Sequence, residues 1–335
     1  MLSAFTMGLA GTELASQEAA FLRYARPCGV ILFARNAGSP DQLRRLTDAV
    51  HAAVGEEILI LIDQEGGRVQ RLTPPYWRAL PPAAAYCKAH VDLEKAVQAA
   101  RAIARLTAAE LRAVGINTNC APLLDVPAAD CHGVIGSRAY AADPQYVARL
   151  GAAVAEGLMA GGILPVMKHL PGHGRAVADS HFDLPVVTAT REQLEACDFV
   201  PFRALAALPA AMTAHVVFTA LDANAPASIS RQVTQEAIRG LIGFQGLLMS
   251  DDLGMRALSG GVAERAAAVL AAGSDVVLAC NGGLAESESV AAVAPVLEGV
   301  GLARYERARA VLRQQQPFEV SEAEAYLAEV LRAAA

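Results

Sequence analysis

The chain has 335 residues, of which 54% are hydrophobic but only 5% aromatic, and a formal net charge of −6. That composition excludes a disordered chain and implies a core of Ala, Val and Leu, as in a large α/β protein whose helices pack closely on strands. The acidic balance leaves no basic surface for phosphates, which argues against a nucleic-acid partner and for a small molecule.

The first thirty residues hold no basic segment followed by an apolar run, and Glu13 and Glu18 interrupt the apolar character early, so no export signal is expected. No uncharged apolar run reaches the roughly eighteen residues of a membrane span. Six cysteines, at 28, 87, 120, 131, 197 and 280, are scattered without a CxxC pair. Reduced thiols in a cytoplasmic protein fit this better than a disulfide frame or a zinc site. The expected protein is a cytoplasmic monomer without a cofactor or metal.

The predicted elements alternate. An irregular first strand at 4–8 is followed by Gly29-Val30-Ile31-Leu32-Phe33, then by the turn cluster Gly38-Ser39-Pro40-Asp41, which can cap a helix over 41–54. Ile58-Leu59-Ile60-Leu61-Ile62 has no polar interruption, as expected of a parallel strand covered on both faces. It stops at Asp63, where Asp63-Gln64-Glu65-Gly66-Gly67-Arg68-Val69-Gln70-Arg71 sets two acids and two arginines around a glycine pair.

A helix over 92–114 then leads to a strand at 116–121 that ends near Asp125. Helices over 144–161 and 191–207 precede strands at 163–168 and 211–216, and strands at 246–250 and 275–279 enclose a further helix. Helices over 286–299, 303–314 and 321–334 complete an outer ring and add a C-terminal extension. Eight strands alternating with helices make a single-domain (β/α)8 TIM-type barrel spanning 1–335.

In such a barrel the loops after the strands gather on one face. Asp63, Arg71, Arg138, Lys168, His169, His173, Asp179, His181, His215, Asp251 and Asp252 all fall at or after predicted strand ends, so they should converge on one pocket. Any one of them could instead cap a helix or join a loop ion pair. The densest stretch, Lys168-His169-Leu170-Pro171-Gly172-His173-Gly174 running on to Asp179-Ser180-His181, carries more chemistry than a plain loop requires.

These stretches, with Ser250-Asp251-Asp252-Leu253-Gly254-Met255, Gly29 to Asn36 and Gly136-Ser137-Arg138, together resemble glycoside hydrolase family 3 over most of positions 5 to 285. More narrowly they are similar to its single-domain bacterial β-N-acetylglucosaminidases (β-hexosaminidases) of NagZ type. The resemblance implies a retaining hydrolase of terminal β-1,4-linked N-acetylglucosamine in muropeptides recovered during peptidoglycan recycling. It implies Asp251 as the nucleophile that forms a glycosyl-enzyme, with His181 as acid/base and Asp179 holding its imidazole. Asp63, Arg71, Arg138, Lys168 and His169 are then placed around the sugar, and their donors and acceptors suit hydroxyls. Leu170 and Tyr140 stand where the family commonly has phenylalanine, which would slightly reshape the pocket.

By residue type alone Asp252 is the alternative to Asp251, although successive strand residues point apart and Asp252 could instead cap the following helix. His173 reads as loop-shaping and His215 as a pocket wall or a satisfied strand-end histidine. Three rivals use the same residues: a metal hydrolase with His169, His173 and His181 as ligands, a Schiff-base lyase built on Lys168, and a barrel that only binds sugar. The glycine-proline break between His169 and His173 argues against helical ligation of a metal.

Overall fold

The computed structural model describes residues 1–128, 133, 135–176, 180 and 183–335. Eight parallel strands close on themselves: β1 (Ser3–Gly8), β2 (Pro27–Leu32), β3 (Leu59–Ile62), β4 (Thr118–Asn119), β5 (Leu164–Leu170), β6 (Ala210–Thr213), β7 (Leu247–Asp252) and β8 (Val276–Ala279). Each strand pairs with its neighbours in sequence, and Phe5 opposite Val277 and Met7 opposite Ala279 shut the barrel. The expected (β/α)8 architecture is the one observed. The first strand has the expected irregularity, a register shift between Ser3 and Thr6 in its pairing with β2.

The strand residues are buried on both faces, as the uninterrupted apolar runs require. The exceptions are Ser3, at one end of the barrel, and Asp251 and Asp252, where β7 opens into the mouth at the other. Around the strands lie α1 (Ser16–Ala25), α2 (Pro40–Val54), α3 (Leu93–Ala113), α4 (Pro144–Ala160), α5 (Val262–Ala272), α6 (Gly283–Ala291), α7 (Gly299–Arg309) and α8 (Val320–Ala334). Ser39, Asp92 and Asp143 cap α2, α3 and α4 through their side-chain oxygens. The alanine-rich composition finds its use where α3 meets α4. Ala100 and Ala104 are buried on one side and Ala148 and Ala155 on the other, and a Cβ at Gly157 would collide with the Arg101 carbonyl. Small residues let the two backbones approach closely.

Several expectations are corrected. The helix expected over 286–299 ends at Ala291, because Pro295 cannot continue it. The segment beyond it pairs with the start of β1 instead, Ala4 N donating to Pro295 O and Leu297 N to Leu2 O. The helix expected over 303–314 begins earlier, at Gly299, and finishes as the tight turn Ala310–Arg313. The strand expected over 116–121 shrinks to Thr118–Asn119, where side-chain amides add to the backbone pairing: Asn117 Oδ1 accepts from Ile60 N, and Asn119 exchanges two hydrogen bonds with the backbone of Gln64. The helix over 191–207 is present as 191–204 but widens into a π-helical turn at Leu194–Asp198. Helix α1, a second π-helical stretch at Val233–Leu241 and a hairpin of Gln64–Gly66 with Val69–Gln70 were not expected. The C-terminal extension is real: α8 buries Ala323, Leu327 and Val330 and packs on α3. No helix among the described residues is long and apolar enough to cross a membrane.

Candidate functional site

Strand β3 ends at Ile62, and the chain turns at once into the hairpin that carries Asp63 and Glu65 over the barrel mouth. Gly66 and Gly67 make that turn at φ 107° and 57°, which glycine adopts without strain. The buried amide of Gln64 ties the hairpin down by accepting from the backbone N–H groups of Arg71 and Leu72. Asp63 and Glu65 therefore project from a fixed backbone toward the end of β5.

From β5 comes Lys168, its side chain only 3% exposed. Its Nζ donates to Asp63 Oδ1 at 2.8 Å and lies 2.6 Å from Glu65 Oε1. Arg138 grips Glu65 with two parallel bonds, Nε to Oε2 at 2.8 Å and Nη2 to Oε1 at 2.7 Å. Arg71 Nη2 donates to Asp63 Oδ2 at 3.2 Å, and its guanidinium stands 5.5 Å from the Phe33 ring centroid. Burial alone would raise both carboxyls, but Lys168 with Arg71 holds Asp63 far below the carboxylate range, and Lys168 with Arg138 brings Glu65 to about 2. Burial likewise disfavours the Lys168 ammonium, yet Asp63 and Glu65 outweigh it and raise its pKa. The group is a fully ionised network of two anions and three cations, pre-formed before anything binds.

The next residue, His169, sits between two carboxylates. Its Nδ1 is 2.7 Å from Asp125 Oδ2 and its Nε2 is 3.9 Å from Asp251 Oδ2. Asp251 is partly open to the mouth, with 15% of its side chain exposed. Burial pushes its carboxyl upward, but His169, His215, the Asp252 N–H and Lys168 together leave it below the usual aspartate value. An ionised oxygen thus faces the cavity. Asp252 is differently employed: it accepts from the N–H groups of Gly254 and Cys280 and from Asn281 Nδ2. It pins the ends of β7 and β8 together rather than capping the helix that follows, which begins only at Val262.

His215 is wholly buried, its Nε2 donating to Asp252 O at 3.0 Å while Nδ1 accepts from the Ser228 hydroxyl at 2.7 Å. Burial lowers its pKa, consistent with that neutral tautomer. It is a satisfied strand-end histidine. His173 shapes the loop: its backbone N–H donates to Asp125 and its Nε2 lies 3.3 Å from Ser180 Oγ.

One cavity of about 260 Å³ collects Asp63, Arg71, Arg138, Lys168, His169 and Asp251, with Phe33, Met255 and Asn281 on its walls. Of the nine described candidates from the sequence, eight meet in this cavity, His173 and Asp252 among them, and His215 lies outside its lining. Asp179 and His181 lie outside the described residues; Ser180, between them, is buried and lines the same cavity. Sequence reasoning passed over Glu65 and Asp125. Glu65 had a signal, since it stands two residues after Asp63 and so on the same side of an extended chain. Asp125 had only its place at a strand end. Among the described residues no three His, Cys, Asp or Glu side chains are grouped to hold a metal ion. The arrangement suits a neutral polyhydroxylated ligand: charged donors and acceptors around a rim, and one free carboxylate oxygen on the wall.

Residues 5–313 match the glycosyl hydrolase family 3 N-terminal domain. The β-hexosaminidase of Alkalilimnicola ehrlichii is 42% identical over 285 residues, covering 84% of this chain and 81% of that protein. The β-hexosaminidase of Xanthomonas oryzae pv. oryzae is 42% identical over 292 residues, 86% of each. NagZ from Neisseria gonorrhoeae, solved in complex with N-trifluoroacetyl-D-glucosamine, superposes with a TM-score of 0.88 at 33% identity over 98% of both chains. A family 3 β-N-acetylglucosaminidase from Paenibacillus sp. superposes at 0.83 with 31% identity, over 98% of this chain and 66% of that one.

Proposed function

Because the chain belongs to glycosyl hydrolase family 3, we propose that it is a retaining exo-β-N-acetylglucosaminidase, a β-hexosaminidase that removes terminal β-1,4-linked N-acetylglucosamine. The observation that carries the reading is the Asp251 carboxylate, kept ionised on the cavity wall beside a pre-formed cluster of sugar-binding charge. Asp251 attacks the anomeric carbon as the bond to the leaving-group oxygen breaks, and that oxygen takes a proton from His181. Water then attacks the glycosyl ester, giving its proton back to His181 and freeing Asp251. Asp179 orients the His181 imidazole.

Asp63, with Arg71, Lys168 and Arg138 arranged about it, offers acceptors and donors to the sugar hydroxyls, and His169 reaches the same ring through Nε2. Supporting this choice of sugar, the relatives above are β-hexosaminidases, and one solved neighbour holds an N-acylated glucosamine. The natural substrates are anhydro-N-acetylmuramyl muropeptides of peptidoglycan recycling, met in the cytoplasm by a single-domain monomer that needs no cofactor. The test compares p-nitrophenol release from its β-N-acetylglucosaminide by the native protein, Asp251→Ala and His181→Ala. Near-total loss is expected for the first. The second should lose much activity, least with leaving groups that need little protonation. Native activity in Asp251→Ala would refute the assignment of the nucleophile.

A further inference from the structure

Asp125 takes no part in the chemistry above, yet its carboxylate is completely buried, 0% exposed, directly behind His169. Its Oδ1 accepts from two backbone N–H groups, those of His169 at 3.2 Å and His173 at 2.6 Å. Its Oδ2 faces His169 Nδ1 at 2.7 Å. Burial raises the Asp125 carboxyl, but His169 and His173 outweigh that and keep it ionised. An ionised carboxylate has no proton to give, so the proton of this bond sits on Nδ1. The Nε2 of the same ring points at Asp251 across 3.9 Å, too far for a direct hydrogen bond and therefore free for substrate.

We propose that Asp125 is a positioning residue of this active site: it fixes the proton on His169 Nδ1 so that Nε2 serves the sugar and Asp251, and it anchors the His173 turn to the same strand end. The inference rests on the reading of Asp251 as nucleophile. Asp125 works like the carboxylate of a catalytic triad, selecting a tautomer and a ring direction without touching substrate. The anchoring has independent support in the backbone, because the chain after Asp125 runs hard against the loop. Ala128 N donates to Gly174 O at 3.1 Å, and Gly174 has no room for a Cβ beside Val126.

Asp125→Asn separates tautomer control from shape. The two backbone donors require the amide oxygen, so the amide NH₂ must face His169 Nδ1. That nitrogen becomes an acceptor and the ring proton moves to Nε2, so a donor replaces the acceptor that faced the sugar and Asp251.

The experiment records ¹H–¹⁵N correlations of the imidazoles and the rate of p-nitrophenyl β-N-acetylglucosaminide hydrolysis for the native protein and for Asp125→Asn. Expected are a proton on His169 Nδ1 in the native spectrum, its transfer to Nε2 in Asp125→Asn, and a kcat/KM about 10- to 100-fold lower in the variant. A native His169 protonated on Nε2 alone would overturn the proposal even if the variant failed to fold. So would a folded Asp125→Asn whose activity falls while the ring proton stays on His169 Nδ1. Failure of the underlying reading looks different: the native protein itself would release no p-nitrophenol.

Discussion

Replacing Lys168 by methionine removes the cation beneath two carboxylates while keeping a flexible chain of similar length. Lys168 is 3% exposed and Glu65 8%, so water cannot replace what is lost. Breaking a buried ion pair from one side costs about 3–5 kcal/mol, because the remaining charge is stranded. Arg71 stays on Asp63 and Arg138 keeps both its bonds to Glu65, which favours the lower end, about 3 kcal/mol at neutral pH. With an unfolding entropy of about 2.1 cal/mol/K for each of 335 residues, roughly 0.7 kcal/mol/K, Tm should fall by about 4 °C.

The pH dependence follows from the sign of the shifts. Both carboxyls have folded pKa values below their unfolded ones, so the stability they contribute is present above about pH 4 and lost as pH falls through the folded values. For Glu65 that value is about 2. Lys168→Met forfeits part of this, so its deficit is largest at pH 7 and narrows between about pH 4 and pH 2. Differential scanning calorimetry at neutral and acid pH measures both effects. A variant within about a degree of native at pH 7, or a deficit that does not shrink in acid, would refute the ionised network.

Two further substitutions probe the site's framework. Glu65→Gln keeps the shape of the hairpin but removes the anion shared by Lys168 and Arg138; steady-state kinetics should show a roughly tenfold or larger fall in kcat/KM, mostly through KM, with Tm reduced as well. Gly174→Ala forces a Cβ into the Val126 carbonyl, and thermal unfolding should show a loss of about 1–3 kcal/mol together with weaker hydrolysis.

What could be read from the sequence, and what could not, divides along physical lines. The barrel was legible because parallel strands covered on both faces must be apolar throughout, and Leu59–Ile62 and Val276–Ala279 fall where such runs occur. Asp63, Lys168 and Asp251 were legible as polar residues placed abruptly at strand ends. The shortness of β4 was not, because Asn117 and Asn119 look like turn residues in sequence while their amides continue the ladder in space. Helix α1 was hidden for a similar reason: Glu18 reads as a break in apolar character, yet its carboxylate accepts from the N–H groups of Ala10 and Ala15 and starts the helix. Asp125 was hidden because its partners, His169 and His173, lie more than forty positions away, at separations of 44 and 48 residues. Local pattern carries no trace of such a contact.

The covalent intermediate on Asp251 is the claim on which the rest depends. A fluorinated N-acetylglucosaminyl donor whose glycosyl-enzyme hydrolyses slowly should add one sugar to the intact protein, and peptide mass spectrometry should place it on the segment containing Asp251. An unlabelled protein that still turns the donor over, or a label on any other residue, would contradict the account.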